Sequence, residues 1–311
     1  MSKILITGGL GNLGSWLTEY FCENGYEVWA LAKNYRKLNT KAKFHVIHAD
    51  LADFNDIKTK LENLEFDYVI HAGSVNDGFV ENYFKLAIEV NTLGTRNLVE
   101  YFKNKSLKHF IYFSTFQVYG KYSGNITETT EVMPVNDYGT THLFAEYIVK
   151  QFGITYKLPY SIIRLTNSYG CPKDANTSKW YLVLNDLTKS AYEKKEIVLT
   201  SNGQAIRDFI WMGDVCSSVD QLINKNAPND TFNLSGQQTF KMIEIAKIVQ
   251  KCYLQKFGKE IPLKFNDKDT NIYPDDLFVS SAKLRNFIDI QTISHFEDEC
   301  LKIFDLLTKK K

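Results

Sequence analysis

Two groups of residues have types and spacing that could do chemistry. The first is Ile4-Leu5-Ile6-Thr7-Gly8-Gly9-Leu10-Gly11-Asn12-Leu13-Gly14, a short apolar run leading into a G-x-x-G-x-x-G loop and then an amphipathic helix. Glycines 8, 11 and 14 permit a tight turn and let the backbone, with Asn12 and Leu13, approach a pyrophosphate, while the helix N-terminus offers unpaired amides to the anion. The loop therefore predicts a dinucleotide site. The second group is Ser114-Thr115-Phe116-Gln117-Val118-Tyr119-Gly120, followed by Tyr138-Gly139-Thr140-Thr141-His142. It brings a hydroxyl and a phenol toward one crevice. Moving a hydride from a carbinol carbon requires a base for the hydroxyl proton as the carbonyl forms. A tyrosine serves near neutrality only if its pKa falls by about 3 units, roughly 4 kcal/mol.

These residues need elements to position them. Apolar runs at Ile4–Thr7, Val28–Ala32, Phe44–His48, Tyr68–His71, Phe110–Ser114 and Tyr160–Leu165 alternate with helical patterns near 13–24, 54–63, 82–103 and 137–152. That alternation is the sequence form of an α/β fold, a doubly wound parallel sheet of the Rossmann type. After about residue 170 the rhythm changes, which predicts a second, smaller α+β domain that binds substrate. The dinucleotide-binding domain is expected over 1–170 plus about 214–235, and the substrate domain over 171–213 and 236–311. Ligands of open α/β sheets bind beyond the carboxyl ends of the strands. Asp50 and Leu51 after the third strand are thus placed to receive an adenine, and Ala72 and Gly73 after the fourth lie near ribose and pyrophosphate.

Composition narrows the function classes. The 311 residues carry 37 basic and 36 acidic side chains, a net charge of +1, so no global field argues for nucleic acid or an anionic membrane. No apolar run approaches the roughly 20 residues that span a bilayer. Five scattered cysteines without a C-x-x-C pair suit reduced thiols and argue against a metal site. With a strand beginning within three residues of the N-terminus and no leader, the expectation is a soluble cytoplasmic protein.

The glycine loop, Asn91-Thr92-Leu93-Gly94-Thr95, the S-T-x-x-V-Y-G turn at 114–120, Arg164 through Asn167-Ser168-Tyr169-Gly170, and Arg207-Asp208-Phe209-Ile210 before Asp214-Val215 occur in one order. In that order they resemble the extended short-chain dehydrogenase/reductase family, in particular its nucleotide-sugar epimerases, dehydratases and reductases. The resemblance implies that Thr115 bonds the reacting sugar oxygen and Tyr138 is the acid/base. It implies that Asn91 helps hold the cofactor and that Asn167, Lys179 and Arg207 hold a nucleotide-diphosphate sugar. Position 142, four residues after the tyrosine, is usually lysine in the family. His142 departs from that pattern and predicts slower chemistry shifted to higher pH, with the imidazole retained as a bond to the nicotinamide ribose. Dehydratases place acidic residues where this chain has Phe116 and Gln117, so dehydration is disfavoured.

Ala32-Lys33-Asn34 offers no carboxylate for an adenosine ribose, and Lys33 or Arg36 could meet the 2′-phosphate of NADP. The wider pattern also resembles bacterial capsule-pathway GDP-heptose 4-dehydrogenases, which favours NAD. The first expectation is thus an NAD(P)-dependent oxidoreductase forming a 4-keto-sugar on a GDP-linked heptose or hexose. A 4-epimerase or keto-sugar reductase is the near alternative, and a non-catalytic nicotinamide sensor the distant one. The resemblance also implies a dimer through helices near 82–103 and 137–152, with Leu86, Val90, Leu93, Leu98 and Phe102 as an apolar stripe.

Overall fold

Strand β1 (Lys3–Thr7) sends Ile4 and Ile6 to one side and Leu5 to the other, and all three are fully buried. A strand apolar on both faces needs a covering layer on each. The computed structural model describes residues 1–76, 82–225 and 227–309 and shows both layers. In chain order come β1, α1 (Asn12–Glu23), β2 (Glu27–Ala32), β3 (His45–His48), α2 (Phe54–Leu61), β4 (Tyr68–His71), α3 (Tyr83–Ala87), α4 (Gly94–Phe102) and β5 (His109–Thr115). The chain continues through β6 (Asn125–Ile126), α5 (Asp137–Tyr156), β7 (Tyr160–Leu165), β8 (Asn167–Tyr169), α6 (Val183–Lys194), β9 (Ile197–Val198), β10 (Ile206–Trp211), α7 (Met212–Asn224) and β11 (Asp230–Leu234). Seven strands form one sheet in the order β11-β7-β5-β4-β1-β2-β3, each neighbouring pair parallel.

Trp16, Leu17 and Phe21 of α1 and Val215, Val219 and Leu222 of α7 cover one face of the sheet. Ile57 of α2, Leu98 and Phe102 of α4, and Val149 and Phe152 of α5 cover the other. A separate core gathers Leu184 and Leu187 of α6 with Ile245 and Val249 of a helix at Met242–Phe257 and Ile303 and Phe304 of a helix at Phe296–Thr308. Leu284, Ile288 and Ile290, further along than β11, pack instead into the first face of the large sheet.

The helical stripe expected over 82–103 is not one surface. Residues Ile88–Leu93 form a π-helical stretch between α3 and α4, and its wider turn changes the phase of the side chains. Leu86 and Val90 line the cleft, Leu98 and Phe102 are buried against the sheet, and only Leu93 of the five faces outward, 46% exposed.

Candidate active site

The carboxyl ends of β1, β2, β4, β5 and β7 open onto a cleft of about 780 Å³ that continues between β8, β10 and α6. Its floor begins at the glycine loop. Gly8 has φ +65°, and a Cβ there would lie 2.7 Å from Gly73 Cα. A Cβ on Gly14 would fall onto the Gly8 carbonyl oxygen. Only glycine lets β1, the 72–76 turn and the start of α1 approach so closely. The Gly11 amide donates to Gly8 O at 2.7 Å, which closes the turn and leaves the first amides of α1 facing the cleft, where an anion is favoured. Asn12 Oδ1 is buried there without a partner.

At the end of β2, Lys33 does not stand as a free cation. Its Nζ lies 2.6 Å from Asp50 Oδ2. Burial raises the Asp50 pKa, but the Lys33 ammonium and the Ala52 amide outweigh it and hold the carboxyl below the usual range. Lys33, expected to meet a 2′-phosphate, is here paired with Asp50, an exposed pair, while Arg36 lines the same cleft. Leu51, Ala72 and Gly73 line the cleft beside it. Asn91 does not. It is 1% exposed and clamps the turn from behind, accepting from the Val75 amide at 2.8 Å and donating to Val75 O at 3.2 Å and Thr141 Oγ1 at 3.2 Å. Its contact is with the loop that shapes the site, so the expected direct cofactor bond gives way to a supporting one.

Thr115 ends β5 and accepts from the Gln117 amide at 3.2 Å, which leaves its hydroxyl proton for a ligand. Asn136 caps α5 by accepting from the Gly139 amide at 2.8 Å, and so aims the first turn, with Tyr138, into the same cleft. Burial raises the pKa of Tyr138 well above 10, and the neighbouring phenols of Tyr83 and Tyr181 add to it, against a hydrogen bond from Ser74. The His142 ring meets the Tyr138 ring edge-on at 4.5 Å. Burial lowers the His142 pKa to about 4, against the opposing pull of Glu146 and the Phe113 carbonyl, so the ring is neutral at pH 7. Its Nδ1 lies 2.8 Å from Tyr112 Oη, whereas Nε2 is buried without a partner.

The substrate end contains Asn167, Lys179 and Arg207 together. Asn167 donates to Asp208 O at 2.9 Å. Asp208 accepts from Thr166 Oγ1 at 2.6 Å and the Gly236 amide at 3.0 Å, so Arg207 is not drawn away by its neighbour and lines the cleft. Lys179 Nζ approaches Tyr181 Oη at 3.0 Å and Asn76 O at 3.4 Å, which links the α6 approach to the 72–76 turn across the opening.

Reading the sequence missed Tyr112 and the brace behind it. Ser114 donates to Glu146 Oε1 at 2.6 Å, and Arg164 holds both Glu146 oxygens at 2.9 and 2.7 Å. The signal was a matching of periods: Tyr112 and Ser114 on β5 meet His142 and Glu146 on α5, because two residues of strand rise about 6.6 Å and four of helix about 6 Å.

Residues 4–235 match the model of the NAD dependent epimerase/dehydratase family, and the chain belongs to that family. It is accordingly an enzyme of the short-chain dehydrogenase/reductase type. Among individual proteins it is similar to a dTDP-D-glucose 4,6-dehydratase of Dictyostelium discoideum, 28% identical over 79% of this chain and 61% of that one. It is also 23% identical to an uncharacterized UDP-glucose epimerase, YtcB, of Bacillus subtilis over 95% of both. The fold matches that of a UDP-glucuronic acid 4-epimerase from Bacillus cereus, crystallised with UDP-glucuronic acid and NAD, with TM-score 0.82, 21% identity and coverage of 99% of this chain and 100% of that one.

Proposed function

We propose that this enzyme carries out NAD-dependent redox chemistry at carbon four of a nucleotide-diphosphate sugar. The observation that carries the reading is one cleft holding the glycine cradle, Thr115, Tyr138 and, at its far end, Asn167 and Arg207. The residues fit NAD: the cradle admits no side chain, Asp50 and Lys33 neutralise each other, and buried polar atoms of Asn12 and His142 lack partners. Bound NAD supplies the hydride acceptor. Thr115 holds the reacting sugar oxygen, and the Tyr138 oxygen takes its proton on oxidation and returns it on reduction. Arg207 and Lys179 offset the diphosphate charge. Phe116 and Gln117 give no acid to expel a sugar hydroxyl, which sets the reaction apart from dehydration.

Oxidation that ends at a released 4-keto-sugar is the first reading, with a GDP-linked heptose of a bacterial surface polysaccharide as the substrate suggested by motif resemblance. The second is 4-epimerisation through a transient ketone, favoured by the fold shared with a 4-epimerase. Incubation with NAD and a panel of GDP-, UDP- and dTDP-sugars separates them. Stoichiometric NADH with a keto product supports the first, and inversion at carbon four without net NADH the second. A product lighter by one water overturns both, and no turnover of any sugar favours a non-catalytic nicotinamide sensor. We also propose a homodimer through the outer faces of the π-helical stretch and α5.

A further inference from the structure

We propose that Tyr112 is a positioning residue for His142: its hydroxyl donates to Nδ1, fixes the neutral ring as the Nε2–H tautomer, and so presents an N–H donor, in place of a cation, to oxygen atoms of the cofactor. This rests on the reading of the cleft as an NAD site. The two rings lie nearly parallel, 25° apart, with 5.9 Å between centroids, and each residue is 2% exposed. The tautomer follows from where each buried proton can go. Thr95 Oγ1 gives its proton to Asn91 O at 2.5 Å and faces His71 Nε2 at 2.8 Å, from which it accepts. His71 Nδ1 in turn accepts from Thr7 Oγ1 at 2.6 Å, and Thr7 Oγ1 accepts from the Gly73 amide at 3.1 Å.

Tyr112 stands beside this chain. Its close partner is His142 Nδ1 at 2.8 Å, an unprotonated imidazole nitrogen being a far better acceptor than a hydroxyl that already takes the His71 proton. With Nδ1 accepting, the ring proton is on Nε2, a buried atom that makes no hydrogen bond and belongs to a side chain lining the cleft, although the Phe113 carbonyl also attracts a proton of this ring. Glu146, one helical turn further on, does not compete for it, since Arg164 and Ser114 hold its carboxylate. A hydroxyl oxygen of the ligand completes the bond, which relieves an unsatisfied buried donor and so ties cofactor affinity to the tautomer.

Histidine-selective ¹⁵N labelling, with the His142 signals identified by their loss in His142→Gln, reads the tautomer directly near neutral pH. The expected result is an unprotonated, hydrogen-bonded Nδ1 and a protonated Nε2, with Nε2 shifting on addition of NAD. Tyr112→Phe is expected to move both nitrogens toward a tautomer mixture and to weaken NAD binding about three- to ten-fold, the worth of one hydrogen bond. A protonated Nδ1 in the native protein overturns the proposal, even where the variant fails to fold. So do nitrogen signals and NAD affinity unchanged in a folded Tyr112→Phe protein. The expected signals in a protein that takes up no NAD would sustain the Tyr112–His142 bond and overturn the reading of the cleft.

Discussion

Tyr138 occupies a setting that opposes its ionisation, since burial and two neighbouring phenols raise its pKa and His142 brings no charge. A phenol held protonated at neutral pH is ready to give a proton to a ketone and reluctant to take one from an alcohol. The oxidative rate should therefore climb steadily from pH 7 to 10, while reduction of a 4-keto-sugar stays near its maximum at pH 7. Tyr138→Phe should lower turnover by about 10²- to 10⁴-fold with nucleotide-sugar affinity nearly unchanged, as measured by kcat against KM. His142→Lys should move the oxidative pH profile to lower pH, and a profile that stays in place would remove position 142 from control of the phenol. At the other end of the cleft the Lys33–Asp50 pair makes a second prediction. Asp50→Asn frees the ammonium for a 2′-phosphate, and because Lys33 is well exposed the gain is modest, about two- to five-fold in the NADP-to-NAD affinity ratio by titration. The positions of Lys33 and Asp50 were legible in the sequence because each follows a strand, and those of Tyr138 and His142 because they open the helix after the 114–120 turn. Their charge states were not, since Lys33 meets Asp50 only once β2 and β3 have paired, and His142 meets Tyr112 only once α5 has packed on β5.

Among the elements, α5 and β5 carry the residues proposed to be catalytic, and one buried ion pair ties the two together. Glu146 is fully buried, bonded by Arg164 of β7 and Ser114 of β5, and Arg164 also donates to Tyr119 Oη at 3.0 Å. Removing one partner leaves a buried charge, which costs about 3–5 kcal/mol, whereas replacing both by apolar groups of similar volume costs much less. Glu146→Ala should thus destabilise the protein strongly in denaturant unfolding, and the double change Glu146→Met with Arg164→Met should recover most of the loss. Equal destabilisation by single and double changes would show that packing, not charge, sets the cost. The strands at Tyr68–His71 and Tyr160–Leu165 were readable to the residue because apolar side chains stand on both faces, with the polar residues His71, Ser161 and Arg164 too few to hide the run. The strand at Asp230–Leu234 was not, since Asp230, Thr231 and Asn233 interrupt its apolar run and become buried or half-buried through pairing with β7 and bonds from distant segments. The π-helical stretch was equally hidden, because a single change of phase inside a long helical pattern leaves the composition unaltered.

For the whole molecule, the buried titratable groups set the response to acid. Burial lowers His71 to about 3 and His109 and His142 to about 4, so unfolding lets three histidines take up protons below about pH 6.5. Burial raises Asp208 and Asp214 to about 6, so between pH 6 and 4 the folded state holds two protons that the unfolded state releases. Among these five groups, three against two leaves one proton favouring the unfolded state, so their joint contribution to stability should fall by about 1.4 kcal/mol per pH unit in that window. Asp208→Asn removes one opposing proton and should steepen the fall of Tm with acid; an unchanged slope would mean that Asp208 does not carry its proton in the folded state. The proposed dimer would form on the opposite surface of α5. Phe144 and Tyr147 are 43% and 55% exposed, on a helix packed beside the stretch that carries Leu93. Three large apolar side chains on adjoining helices favour a second copy of the same face over water, about a twofold axis. Charged substitutions there, Leu93→Glu with Phe144→Glu, should convert a dimer to a monomer in sedimentation equilibrium while NAD binding persists, because neither residue lines the cleft. A native chain that sediments as a monomer would overturn the assembly, and a variant that stays dimeric would place the contact elsewhere.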